Sequence, residues 1–339
     1  MTFDGNIGPP MYQYLKNLSA TQQVGALFVL VFGLLLLASI SAVLLSLRDF
    51  DGTQAAEQRR SDLRNLDGVL RTSWFMVLVF WLGWLAGDWV ALTLFGLVSF
   101  FALREFMTLS PTRRGDHRSL VLAFFAVLPL QYWLVGSEHF NLFTVFIPVY
   151  VFLAIPVASA LANDPQRFLE RNAKLQWGIM VCIYGMSHVP ALLLLQFPHY
   201  DNKSAFLVFF LVLVVQICMI TQHLASRKLR RAPAAPNISQ SFNWPSWWIG
   251  IGVGSVLGGL LAGITPFVPG QAFAMAFVAC VAGSLGHLVM KALKRDRGIP
   301  IWRGQGPAVT GAGGLLDRVD ALCFAAPVFF HSVRWYFGL

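Results

Sequence analysis

Charged residues are scarce in this chain of 339 residues: Asp, Glu, Lys and Arg together make up only 12% of it. A soluble domain carries about 25% charged residues. Hydrophobic residues make up 56% of the chain and include 29 Phe and 11 Trp. This composition excludes an ordinary soluble domain and predicts an integral membrane protein that crosses the bilayer many times.

Cysteine is scarce as well, and the chain contains no pair of cysteines at the CxxC spacing. Each of the four cysteines lies within an apolar stretch, namely Cys182, Cys218, Cys280 and Cys323. We interpret them as small residues of the core or of the lipid-facing surface. A zinc site or a disulfide framework is therefore not expected.

Apolar runs of membrane-spanning character recur along the sequence. There are ten: 24–47, 74–87, 89–103, 120–136, 142–161, 177–195, 205–225, 247–264, 272–290 and 321–338. The second and third are short and are separated by Asp88, so a count of nine spans stays open. We predict an all-α polytopic membrane protein with about ten transmembrane helices. It would comprise a polar N-terminal segment (1–23), N-terminal transmembrane helices (24–103) and a membrane domain (104–339).

Basic residues alternate between the predicted loops. Five alternate loops hold 22 of the 25 Lys and Arg residues, and only Lys16, Lys203 and Arg334 lie elsewhere. Because basic loops stay in the cytoplasm, we expect these five loops to be cytoplasmic and both termini to lie on the other side. The net charge of +9 is explained by this bias and by contact with anionic head groups, without nucleic-acid binding. We expect a bacterial inner-membrane location.

Carboxylates are rare in the C-terminal part of the chain, where only Asp296, Asp317 and Asp320 follow Asp201. Asp317 and Asp320 are three residues apart, so a helix would place both on one face, where they could share a cation. Gly313 and Gly314 precede them and would allow a phosphate to approach the backbone. The helix that follows would offer free N–H groups at its N-terminus.

Basic side chains lie upstream of these carboxylates. Lys291, Lys294 and Arg295 share a helix face by their spacing. The pattern predicts a cationic, glycine-lined pocket on the loops 226–246 and 291–320, suited to a nucleotide with Mg²⁺ or to a lipid phosphate. A basic loop followed by a glycine turn and a capped helix would explain the same residues without any function.

The region 284–330 resembles the signature of the phosphatidate cytidylyltransferases. The shared residues are Lys294-Arg295, Gly311, Gly313-Gly314, the run Leu316-Asp317-Arg318-Val319-Asp320 and the run Ala326–Phe330. Leu103-Arg104-Glu105-Phe106 likewise resembles a motif in the early helices of that family. The membrane domain 104–339 is accordingly interpreted as cytidylyltransferase-like.

The resemblance implies transfer of CMP from CTP to phosphatidate in phospholipid biosynthesis, with formation of CDP-diacylglycerol and pyrophosphate. It implies that Asp317 and Asp320 are catalytic and hold Mg²⁺, with Asp296 as a further candidate ligand. The implied substrate-binding residues are Lys294, Arg295, Gly313, Gly314, Arg318 and Ser239. The expected partners are CTP, phosphatidate and the lipid bilayer, and a homodimer is left open.

Several signature positions carry other residues. His287 occupies a position where the family has Asp, Lys291 replaces a Ser, and Cys218-Met219 replaces an Asn-Asp pair. A two-metal site needs about three or four anionic ligands. The substitutions therefore raise an alternative: a catalytically impaired homologue that binds lipid or nucleotide or scaffolds a partner enzyme. A transporter is a minor alternative.

Overall fold

The fold is known from a computed structural model, which describes residues 20–46, 87–110, 112–197, 204–299 and 314–338, with single positions between 70 and 86. Within these ranges the secondary structure is helical, and the only β pairing is one isolated bridge between Ala235 and Ser239. The helices are α1 (Ala20–Ser46), α2 (Asp88–Thr108), α3 (Arg114–Gly136), α4 (Phe140–Ala160), α5 (168–193), α6 (Ala205–Leu229), α7 (Trp244–Ile264), α8 (Pro269–Asp296) and α9 (Leu315–Phe337).

Six of these helices, α2, α3, α4, α6, α7 and α8, are long and apolar enough to cross a membrane. Many of their large apolar side chains are exposed, for example Phe125 at 72% and Leu153 at 64%, as expected for surfaces that face lipid. The all-helical, polytopic character predicted from the sequence is confirmed at this level. The predicted run 74–87 lies largely outside the described residues.

Glycines bring α7 into close contact with its neighbours. A Cβ atom at Gly250 would lie 2.7 Å from the backbone oxygen of Cys218 on α6. A Cβ at Gly258 would lie 2.3 Å from the Cβ of Ala276 on α8. Helices in membranes associate through such small residues, because lipid offers them no hydrophobic driving force for burial. Gly250 and Gly258 therefore allow α6, α7 and α8 to pack closely against one another.

Helix α9 packs against α8 and α5 in the same way. A Cβ at Gly286 of α8 would overlap the side chain of Phe324 at 2.2 Å, and a Cβ at Gly185 of α5 would lie 2.3 Å from the backbone oxygen of Cys323. The first turns of α9 consequently face the last turns of α8. The four cysteines are buried and unpaired, in agreement with their interpretation as packing residues.

Candidate functional site

Two carboxylates of α9 face basic side chains of α8. Asp317 forms an ion pair with Lys294, and both side chains are largely shielded, with exposures of 16% and 12%. Three residues later, an oxygen of Asp320 lies 2.7 Å from His287 Nδ1. The predicted spacing of Asp317 and Asp320 thus does place them on one face of a helix, and that face is turned toward α8.

Asp320 is the more buried of the two carboxylates, with a residue exposure of 3%. Its second oxygen accepts a hydrogen bond from the backbone N–H of Ala321 at 2.6 Å. Since a carboxylate accepts hydrogen bonds, Nδ1 of His287 must carry the hydrogen that it shares with Asp320. Asp320 therefore fixes the orientation of the His287 ring.

Lys291 lies on the same face of α8, four residues after His287 and three before Lys294. Its Nζ donates to Ser239 Oγ at 3.3 Å and to Ser241 Oγ at 3.4 Å. Ser239 is itself buried, at 4% exposure. Ser239 was predicted to be a site residue although it lies on a distant loop. The structure places it within hydrogen-bond distance of Lys291 on α8.

The loop that carries Ser239 is held by local hydrogen bonds. Ala234 N–H donates to the carbonyl of Phe242 at 2.8 Å, which closes the loop. Asn243 then caps α7, since its Oδ1 accepts from the N–H of Ser246 at 3.0 Å, and its Nδ2 donates to Ser226 on α6 at 3.2 Å. The cap and the cross-link position Ser239 over α8.

The N-terminus of α9 does not offer the free N–H groups that the sequence predicted. The carboxylate of Glu105, near the end of α2, accepts from the N–H of Gly314 and from the N–H of Leu316, each at 2.9 Å. Gly314 has a left-handed backbone with a φ of 84°, which explains the need for glycine there. The prediction of an open anion site at this helix end is therefore wrong, because a side chain of the protein already occupies it.

Sequence reasoning noticed Glu105 only as part of a motif and assigned it no place in the site. A signal was available: Arg104 and Glu105 are the charged pair near the end of an otherwise apolar span, where a charge is costly unless it has a partner. The partner could not be named, because Glu105 and Gly314 are 209 residues apart.

The other predicted residues are placed less centrally. Arg295 is exposed, and Asp296 pairs with its neighbour Arg297 at 3.1 Å, with 65% of its side chain exposed. Arg318 Nε is buried and has no hydrogen-bond partner among the residues that the structure describes. Gly313 and Gly311 lie outside the described residues.

The arrangement does not fit the expected Mg²⁺ site. Asp317 and Asp320 are already neutralised or hydrogen-bonded by Lys294 and His287, so a cation would have to displace both partners. Over the described ranges, no three His, Cys, Asp or Glu residues form a cluster suited to a metal. The loop 300–313, outside those ranges, contains no acidic residue in its sequence.

A cavity of about 210 Å³ lies near the cytidylyltransferase-like motif residues, between α2, α5 and α8. Phe106, Trp177 and Leu293 give it an apolar lining. Its charged lining residues are Lys174, which is ion-paired with Glu170 of the same lining, and Arg297. Phe106 directly follows Glu105 in the chain, and Leu293 directly precedes Lys294. A largely apolar cavity with a few polar side chains is typical of a site for a small molecule.

Comparison with known proteins is consistent with this arrangement. Residues 69–336 match the family model of the cytidylyltransferase family. Over 268 residues the chain is 33% identical to the uncharacterized protein YnbB of Escherichia coli strain K12, an alignment that covers 78% of this chain and 86% of that protein. Over 125 residues it is 32% identical to the phosphatidate cytidylyltransferases of two Brucella abortus strains, which covers 36% of this chain and 45% of each relative.

Proposed function

The chain belongs to the cytidylyltransferase family, and from this premise we propose that it transfers CMP from CTP to phosphatidate at the facing ends of α8 and α9. The products would be CDP-diacylglycerol and pyrophosphate. The observation that carries the proposal is the convergence of Lys291 and Lys294 with Asp317, Asp320 and Ser239, side chains drawn from two helices and a separate loop. A cluster of this kind suits a ligand rich in phosphate.

In the proposed reaction, an oxygen of the phosphatidate phosphate attacks the α-phosphorus of CTP. A new P–O bond forms, the bond from the α-phosphorus to the bridging oxygen of the β-phosphate breaks, and pyrophosphate leaves. Such reactions are accelerated mainly by positioning and by stabilisation of negative charge. Lys291 and Lys294 would provide positive charge, and Arg295 and Arg318 would contact phosphates at the edge of the site. Asp317 and Asp320 would hold the basic residues of α8 in place.

The proposed topology puts this site next to its nucleotide. With ten spans, the five basic loops would face the cytoplasm, both termini would lie outside, and the protein would reside in a bacterial inner membrane. Lys291, Lys294 and Asp317 belong to the last of those loops or to its helix ends. CTP would then enter from the cytoplasm, while phosphatidate would reach the site from the adjacent leaflet.

A second candidate is a homologue that binds lipid or nucleotide, or scaffolds a partner enzyme, without catalysing the transfer. The pairing of both carboxylates with basic side chains favours it, since these oxygens are then less available to a catalytic cation. The two candidates share the binding site and differ in turnover.

A CTP:phosphatidate assay on detergent-purified protein separates the two candidates. Formation of CDP-diacylglycerol would be followed with Mg²⁺ and, in parallel, with EDTA. We expect turnover in the natural protein and its loss in Asp317→Asn, with a cooperative thermal unfolding transition of the variant as the folding control. Absence of turnover in a folded preparation under both conditions would refute the transferase proposal. Full activity of Asp317→Asn would remove Asp317 from the mechanism.

A further inference from the structure

Both carboxylates of the site, Asp317 and Asp320, are already engaged by side chains of the protein. We propose that the site binds phosphate directly through basic side chains, without a divalent cation. This inference rests on the proposed function, because it concerns the same site. The ligand would be a phosphate ester or anhydride, either a nucleotide or a lipid head group. Lys291, Lys294 and Arg318 would hold it.

The first observation is the pairing across α8 and α9. Lys294 contacts Asp317, and His287 lies 2.7 Å from Asp320, so each carboxylate already has a side-chain partner on α8. The side chains of Lys294 and Asp317 are 12% and 16% exposed, and those of His287 and Asp320 are 24% and 4% exposed. Both pairs are therefore largely shielded from water. Separating shielded partners is costly, because each would leave an uncompensated group behind. The pairing therefore disfavours entry of a cation between them.

The second observation is the ammonium group of Lys291, which forms no ion pair with a carboxylate of the residues that the structure describes. Lys291 is partly buried, and the contacts that the structure gives its Nζ are the hydroxyls of Ser239 and Ser241. These hydroxyl groups solvate the positive charge of Lys291 but do not neutralise it. An ammonium has three donors, so Lys291 keeps one for a ligand when both serines are engaged.

The third observation is the guanidinium of Arg318, one residue after Asp317. Its Nε is buried and has no partner in the described part of the chain. Buried donors normally have an acceptor, and an unsatisfied one calls for an explanation such as a missing ligand. A phosphate oxygen is the acceptor that arginine binds best.

Binding of radiolabelled CTP to the purified protein, in EDTA and in Mg²⁺, tests this inference. Inorganic pyrophosphate and a short-chain phosphatidate, used as competitors, distinguish a nucleotide site from a lipid-phosphate site. We expect at least one of the three ligands to bind in EDTA, with an affinity within about twofold of that in Mg²⁺. Binding in Mg²⁺ with none of the three ligands bound in EDTA would overturn the inference and leave the proposed function intact. No binding under either condition would overturn both.

Variants sharpen the test. Lys291→Gln keeps the length and polarity of the side chain but removes its charge, and we expect it to weaken binding in EDTA at least tenfold, about 1.4 kcal/mol. The control is Arg118→Gln, which removes an exposed basic residue near the start of α3, outside the loops of the predicted pocket. Equal binding by Lys291→Gln and the natural protein would refute the assignment of Lys291.

His287→Asp provides an independent readout that does not depend on ligand binding. It would place a second carboxylate against Asp320, and the repulsion between them should make thermal stability depend on Mg²⁺. We expect Mg²⁺ to raise the unfolding temperature of His287→Asp and to leave that of the natural protein unchanged. An equal Mg²⁺ effect on both would indicate that the natural site already binds the cation, and would contradict the inference.

Discussion

The carboxylate of Glu105 accepts hydrogen bonds from the backbone N–H of Gly314 and from that of Leu316, both at 2.9 Å. One side chain of α2 thereby satisfies two of the orphan donors at the start of α9. Asp317 is three residues beyond Gly314, so Glu105 determines where the first carboxylate of the site lies.

Replacement of Glu105 should disturb the site through the position of α9. Glu105→Gln can accept only one of the two hydrogen bonds, because its amide nitrogen is a donor, and we expect a loss of about 1 kcal/mol of stability. Thermal unfolding and ligand affinity should both decrease. Arg104→Ala, at the exposed neighbouring position, is the control. A Glu105→Gln variant with natural stability and affinity would show that this cap does not position the site.

Asp320→Asn should destabilise the protein more than Asp317→Asn. The Asp320 side chain is 4% exposed and accepts from His287 and Ala321, whereas the Asp317 side chain is 16% exposed. In Asp320→Asn, the amide NH₂ group would face the N–H of either His287 or Ala321. Two donors in contact cost about 1–3 kcal/mol. Unfolding of both variants in the same detergent measures the difference. If Asp317→Asn were the less stable variant, the order of burial would not govern their stability.

Glycines on α7 offer a test of the helix packing. Gly250→Ala would place its Cβ 2.7 Å from a backbone oxygen of α6, whereas Gly252, two residues along the same helix, has no atom within 4 Å. Overpacking costs about 1–3 kcal/mol, so Gly250→Ala should lower the unfolding temperature. Gly252→Ala should leave it unchanged or raise it slightly. Equal effects of the two variants would contradict the close contact of α6 and α7.

Acid should weaken a cluster of charges formed by Asp116 in the first turn of α3, Asp164 in the loop before α5 and Arg171 in α5. Arg171 is buried at 7% exposure and contacts Asp116 at 3.0 Å as well as Asp164. The hydrogen bond from Arg171 lowers the pKa of Asp164 below its ordinary value of 3.8. The resulting stabilisation is complete above pH 3.8 and is lost as the pH falls through the lower pKa of the folded protein.

The measurement is the unfolding temperature between pH 5 and the acid limit of the detergent. The unfolding temperature of Asp164→Asn should fall less at acid pH than that of the natural protein, because the variant has no carboxylate to protonate at this position. The same decline in the natural protein and in Asp164→Asn would show that other carboxylates cause it. Since 27% of the Asp164 side chain is exposed and its charge is partly screened by water, we expect a modest effect.

Local features of the site were predictable from the sequence. The helical spacing of Asp317 and Asp320, and that of Lys291 and Lys294, follows from the period of an α-helix, and the structure places each set on one face. The resemblance of the signature residues pointed to the family, and the family match confirms it. These inferences succeeded because they depend on residues close together in the chain.

Other features depend on contacts between distant residues. The sequence predicted free N–H groups at the start of α9 and did not foresee that Glu105, 209 residues away, occupies them. It identified His287 as a departure from the family pattern and did not pair it with Asp320. Such pairings require knowledge of which helix faces touch, and many faces of these helices are similarly apolar.

The sequence by itself determined that the chain is a helical membrane protein with a concentration of basic residues, glycine and carboxylates near its C-terminus. Composition and periodicity suffice for this, because burial of backbone polar groups in lipid leaves few alternatives to the helix. Only the tertiary structure decided that each carboxylate faces a basic residue and that Glu105 caps α9. These contacts arise where small residues, such as Gly286 and Gly185, let α9 approach α8 and α5 closely enough for side chains to meet.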